Sequence, residues 1–206
     1  MAKIPAKLAM LRAAERLFAE RGVDVVSLRE IAAAAGQKNH SAALYHFGDK
    51  RELLEALLER HSGPFDQAYA PALEELAASG KESLTTLITL LVDPLVEKLS
   101  DEDGGPQYLL ICAELVHSKT HPLTGLRAAN GPGSTELRMR LFPHFPEIDA
   151  ALLPLRAMQI ASMLFGSIAA YHRLSVAGLF IPKETFRDDL VRTLVSLLQQ
   201  QAAKEM

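Results

Sequence analysis

The stretch Ser27 to Lys50, SLREIAAAAGQKNHSAALYHFGDK, constrains the fold more than any other part of this chain. Ser27 is a good N-cap, and Glu30 three residues later completes a capping box, so a helix begins here with Leu28, Ile31 and Ala32 turned inward. The run Ala32 to Ala35 then meets Gly36, which supplies a left-handed residue to end that helix and lets the next leave at a steep angle. A second, short helix follows, which makes the pattern that of a helix-turn-helix. Lys38, Asn39, His40, Ser41, Leu44, Tyr45 and His46 offer hydrogen-bonding groups and methyls suited to base edges and phosphates in a major groove, and few of them are needed for a core.

The flanks agree. Ala6 to Arg21 places Leu8, Leu11, Ala14, Leu17 and Phe18 at helical spacing, which predicts a packing helix under the helix-turn-helix. After Phe47, Gly48-Asp49 caps another helix with Leu53, Leu54, Leu57 and Leu58 on one stripe. Leu17-Phe18-Ala19-Glu20-Arg21-Gly22, the capped Ser27 to Ile31, Ala35-Gly36, Tyr45-His46-Phe47 and Lys50 together resemble the TetR family of bacterial repressors over roughly residues 7 to 60. The interval from Gly36 to Phe47 is one residue longer than the commonest family pattern. Counting back from Phe47 puts Ala43 on the inward face and Leu44 and Tyr45 where the family usually carries tyrosine and histidine. The resemblance implies an all-α chain, with a three-helix DNA-binding domain over 1–50 and a larger helical effector-binding and dimerisation domain over 51–206. Expected phosphate contacts are Ser27, Tyr45 and Lys50, and expected base contacts are Asn39, His40 and Leu44.

Charge supports the division. Residues 1 to 51 hold nine Lys/Arg against five Asp/Glu, and the remainder thirteen against twenty, so a basic end precedes an acidic body. Cys112 is the single cysteine, which excludes an internal disulfide and fits a reducing, cytoplasmic compartment. It follows Leu109, Leu110 and Ile111, an apolar setting for an inert thiol. No secretion signal is visible, and the uncharged apolar stretch Ala157 to Tyr171 is expected to be too short to span a bilayer.

Beyond Pro64 the breakers predict helices over 65–78, 82–99, 106–118, 135–142, 148–177 and 183–203, with Gly131-Pro132-Gly133 as a mobile loop and Pro94 and Pro154 as kinks or helix starts. The last two helices are unusually apolar. Met158, Ile160, Ala161, Met163, Leu164, Phe165, Ile168 and Ala169 nearly encircle one, and Phe186, Leu190, Val191, Leu194, Val195, Leu197 and Leu198 stripe the other. One chain is not expected to cover both, which predicts a homodimer with a two-fold four-helix interface.

Catalytic signatures are missing: there is no Gly-rich nucleotide loop, Cys-X-X-Cys, His-Glu-X-X-His or nucleophile elbow, so no enzyme, metal site or cofactor is expected. His117 and His121 have helical spacing for a metal pair, but Pro122 interrupts that helix. Leu87, Leu91, Tyr108, Cys112, His117, Met139 and Phe165 mix apolar groups with isolated polar ones, the usual lining of a cavity for a small apolar effector. The expected function is a regulator, a repressor released from a palindromic operator in double-stranded DNA by that effector. The alternative is a helical ligand or metal sensor whose helix-turn-helix makes only protein contacts.

Overall fold

A computed structural model describes residues 4–39, 41–144 and 150–199, and among these every regular element is helical. In chain order they are α1 (Ala6–Arg21), α2 (Leu28–Ala34), α3 (Ala42–Phe47), α4 (Lys50–Ala78), α5 (Leu84–Lys98), α6 (Gly105–Leu115), α7 (Pro132–Leu141), α8 (Leu153–Val176) and α9 (Lys183–Gln199). Short 3-10 turns occupy Leu123–Gly125, Arg127–Ala129, Phe142–His144 and Ala150–Leu152. Packing divides the chain into two compact units, one of residues 1–63 and 101–130, the other of 64–100 and 131–206. The segment 1–50 lies wholly inside the first.

In the first unit, α1 packs on α2, α3 and α6. Met10, Phe18, Val26, Ile31, Leu53, Leu54, Leu57, Leu109 and Ile111 are all buried there. Gly22, with φ of 91°, ends α1 by donating its N–H to the Phe18 carbonyl at 2.8 Å. In the second unit α9 packs on α5 and α8, and α5 on α7.

Three sequence expectations change. The helix from Lys50 does not stop at Gly63-Pro64 but runs through Pro64 and Pro71 to Ala78. Each proline removes the helical bond to the carbonyl four residues back, those of Arg60 and Gln67. The burial of Leu57, Leu58 and His61 on one side and Tyr69 and Leu73 on the other carries the helix across. Residues 131–133 are not a loop: Gly131 is the N-cap of α7, and Pro132 sits at its first position, where its fixed φ is favourable. The partner of this helix start is Asp66, whose Oδ1 accepts the Ser134 N–H at 2.7 Å. A Cβ on Gly133 would lie 2.0 Å from the Asp66 carbonyl oxygen, so glycine is required for this approach. Finally, the uncharged stretch 157–171 is part of the 24-residue α8, which by length and composition is long and apolar enough to cross a membrane. The predicted helix ends at 148 and 200–203 lie outside the described residues.

The two apolar helices behave differently. On α9 Leu190, Val191, Leu194 and Leu198 are buried within the chain's own packing. On α8 only Leu164, Ile168 and Ala169 are buried, while Leu155, Met158 and Leu174 are exposed, as are Val176, Leu179 and Phe180 at and beyond its end.

Candidate nucleic-acid interface

The helix-turn-helix forms as the capping box dictates. The Ser27 N–H and hydroxyl both donate to Glu30 Oε2 at 2.8 Å, and the Glu30 N–H donates to Ser27 Oγ at 3.2 Å. Arg21 adds an ion pair to Glu30 Oε1 at 2.9 Å. The Ser27 N–H bond, the Ser27 hydroxyl and then Arg21 hold the Glu30 carboxyl at about 2, well below its ordinary 4.5. Ser27 therefore has its hydroxyl proton engaged within α2. Ile31 and Ala32 are buried and Leu28 is half-buried. Gly36 takes φ of 69°, the left-handed residue of the turn.

The second helix is shorter than the sequence reading placed it. It starts at Ala42, so Asn39 and Ser41 lie in the turn before it, and His40 is outside the described residues. Asn39 Oδ1 accepts the Ser41 N–H at 2.9 Å, and the amide NH2 remains a donor on an exposed side chain. Ala43 and Phe47 are buried and seat α3 on the three-helix core. Lys7 adds a cation–π contact, 5.6 Å from the Phe47 ring centroid. Lys38, Asn39, Ser41, Leu44, Tyr45 and His46 are all exposed, Tyr45 by 86%. This combination of an apolar underside and a polar, aromatic outer surface is what a groove-reading helix presents.

Residues 10–57 match the model for bacterial regulatory proteins of the tetR family. By this match the N-terminal module is one of the tetR family. Along its length the chain has the fold of a fatty acid degradation regulator, FadR, from Bacillus halodurans, with a TM-score of 0.63 and 18% identity over 98% of this chain and 100% of that one. An alanine-substituted mutant of HlyIIR gives a TM-score of 0.57 at 19% identity, over 98% and 100% of the two chains. No curated protein matches by sequence.

Lys50 at the start of α4 is anchored, its ammonium donating to the carbonyls of Val23 at 2.9 Å and Asp24 at 3.1 Å. Sequence reasoning missed the polar contacts that hold the tetR module to 101–130. Glu15 on α1 is buried and accepts from Arg60 at 2.5 Å and from His61 at 2.9 Å on α4. His61 stacks on Tyr108, and Arg60 also pairs with Asp103. Glu55 is buried too, its two oxygens accepting the N–H groups of Arg127 at 3.0 Å and Ala128 at 3.1 Å. A signal for Glu15 was present, since it stands four residues after Leu11 and three before Phe18, on the buried stripe.

The expected effector residues fall in both units. Tyr108 and Cys112 are buried on α6 of the first and share a hydrogen bond, while His117, beyond the end of α6, is exposed. Burial raises the Cys112 thiol to about 12. In the second unit Leu87 is buried, Leu91 and Phe165 are half-buried, and Met139 is exposed. Among the described residues no group of three or more His, Cys, Asp or Glu is placed to hold a metal.

Proposed function

We propose that this tetR-family regulator is a cytoplasmic homodimeric repressor that reads a palindromic operator through α3 and its preceding turn, and leaves it when a small apolar effector binds among the helices of residues 51–206. The observation that carries the reading is the exposed set of Lys38, Asn39 and Ser41 in the turn and Leu44, Tyr45 and His46 on a helix seated by buried Ala43 and Phe47. Asn39, through its free NH2, meets a base acceptor together with Leu44. Tyr45 and the third N–H of Lys50 meet phosphates, with the partner DNA in the major groove.

Support for the dimer is the uncovered apolar surface of α8, which a second copy would bury about a two-fold axis. Linking two recognition helices supplies the affinity that one half-site lacks. Support for the effector is the apolar make-up of the interiors, with Tyr108 and Cys112 buried in the first unit and Leu87 buried and Leu91 and Phe165 half-buried in the second. For release, the effector must favour the DNA-incompetent arrangement, and DNA must weaken the effector by the same factor.

The test is a pair of variants on a selected duplex and a random one. Lys50→Ala weakens both duplexes and flattens the salt dependence, with the larger loss on the selected one because Lys50 also holds the Val23 and Asp24 carbonyls, whereas Asn39→Ala costs about 1 to 3 kcal/mol on the selected duplex only. Equal losses of Asn39→Ala on both duplexes overturn the base-contact role.

A further inference from the structure

One peptide in the turn between α1 and α2 is held from three directions. The Val23 side chain is buried, its N–H donates to Glu114 Oε1 of α6 at 2.9 Å, and its carbonyl accepts from Lys50 of α4. The next residue is held as well, since the Asp24 carbonyl also accepts from Lys50 and its carboxylate accepts the Thr120 hydroxyl at 2.5 Å. Thr120 lies in the segment that follows α6. Gly22 makes the approach of Glu114 geometrically feasible: its φ of 91° turns the chain, and a Cβ there would stand 3.3 Å from Glu114 Oε1.

The position of this turn matters because Ser27, the N-cap of α2, is only four residues after Val23. Only three residues separate Val23 from the capped Ser27, and one of them, Val26, is itself buried, so there is little slack and a displacement of Val23 is passed to α2 and, through its contact with α3, to the recognition surface. Glu114 itself is an exposed residue, and α6 is held on α1 by its own apolar face, Leu109, Ile111 and Leu115 among others. The glutamate is thus not needed to attach α6. What it adds is an acceptor for a backbone N–H that has no helical partner.

We propose that Glu114 is a positioning residue for DNA binding: through the Val23 N–H, α6 sets the placement of the helix-turn-helix directly, alongside the route through α4. Thr120, on Asp24, is the second tie of the same grip. This rests on the DNA-binding reading above and adds to it the residue by which a movement of α6 reaches the operator contacts.

The experiment compares Glu114→Gln, Glu114→Ala and Thr120→Val in the full-length chain, with a fluorescent duplex selected from random sequence by the wild-type protein and an unselected duplex of the same length. Glutamine keeps an oxygen acceptor for Val23 and removes the charge, so it separates positioning from the general repulsion between a carboxylate and DNA. Expected is wild-type or slightly tighter binding of both duplexes by Glu114→Gln. For Glu114→Ala a loss of about tenfold on the selected duplex alone is expected, with a melting temperature near that of Glu114→Gln. Thr120→Val is expected to lose selected-duplex binding in the same direction. If Glu114→Ala binds the selected duplex as Glu114→Gln does, the proposal is overturned. The same holds if its loss is equal on both duplexes. Should Glu114→Ala melt early, Thr120→Val decides, and unchanged selectivity there also overturns it. Failure of the wild-type protein to select any duplex would instead count against the DNA-binding reading, before any variant is made.

Discussion

Single residues here do two kinds of work, and the sequence announces one kind far better than the other. The capping box of Ser27 and Glu30 is local, so its spacing alone places it, and the structure forms both of its reciprocal bonds. A carboxyl held at about 2 in the fold against 4.5 in the unfolded chain adds stability at every pH above 4.5, and that contribution is lost as pH falls toward 2. The stability difference between wild type and Glu30→Gln is therefore expected to be constant at neutral pH and to shrink below pH 4.5 in urea titrations. A difference that grows on acidification would contradict the capping account. Glu15 is the contrasting case. Its neighbours Arg60, His61 and Gly104 are about 45 to 90 positions away, so nothing local in the sequence names them. Removing it takes one of two carboxylates from Arg60 and the carboxylate partner from His61 in a buried site, so Glu15→Ala is expected to cost about 3 kcal/mol in urea unfolding. A cost under 1 kcal/mol would mean that the cluster is solvated in solution.

At the scale of elements, α1, α2 and α9 begin where periodicity and caps put them, because each start is decided by residues adjacent in the chain. One proline misleads. Pro64 reads as a breaker, whereas Pro71 falls inside the predicted helix 65–78, and α4 passes both, since buried side chains on either flank outweigh one lost bond at each. At 131–133 the reverse holds: glycines that suggest a loose loop serve a close approach to Asp66, a partner 65 or more positions back. The apolar pattern of α8 and α9 was legible, but not which of them the chain covers by itself. Leu194 is fully buried in its own subunit, so Leu194→Glu tests folding rather than association. Leu155→Glu and Phe180→Glu place charge on exposed apolar positions, and each is expected to give a folded protein that sediments as a monomer. A dimer that survives both changes would exclude α8 and its following turn as the interface.

For the whole molecule, the unequal charge of its two ends, the short exposed α3 and the tetR match over residues 10–57 converge on one activity. The all-helical class and the capped helix with its turn at Gly36 were readable from residues 27–50 and the helical spacing around them. The grip on Val23, the buried carboxylates and the two-unit packing were not, because each is made by segments far apart in the chain. Of the seven residues expected to line an effector cavity, His117 and Met139 are exposed, while Leu87, Tyr108 and Cys112 are buried and Leu91 and Phe165 half-buried. The most direct test of DNA recognition is to select duplexes from randomised DNA with the full-length protein and then titrate the enriched site across salt concentrations. The expected result is a two-fold symmetric site with half-site centres about 10 base pairs or a multiple apart. The logarithm of the affinity should also fall linearly with the logarithm of salt, as phosphate contacts release counterions. No enriched sequence and an affinity indifferent to salt would contradict it.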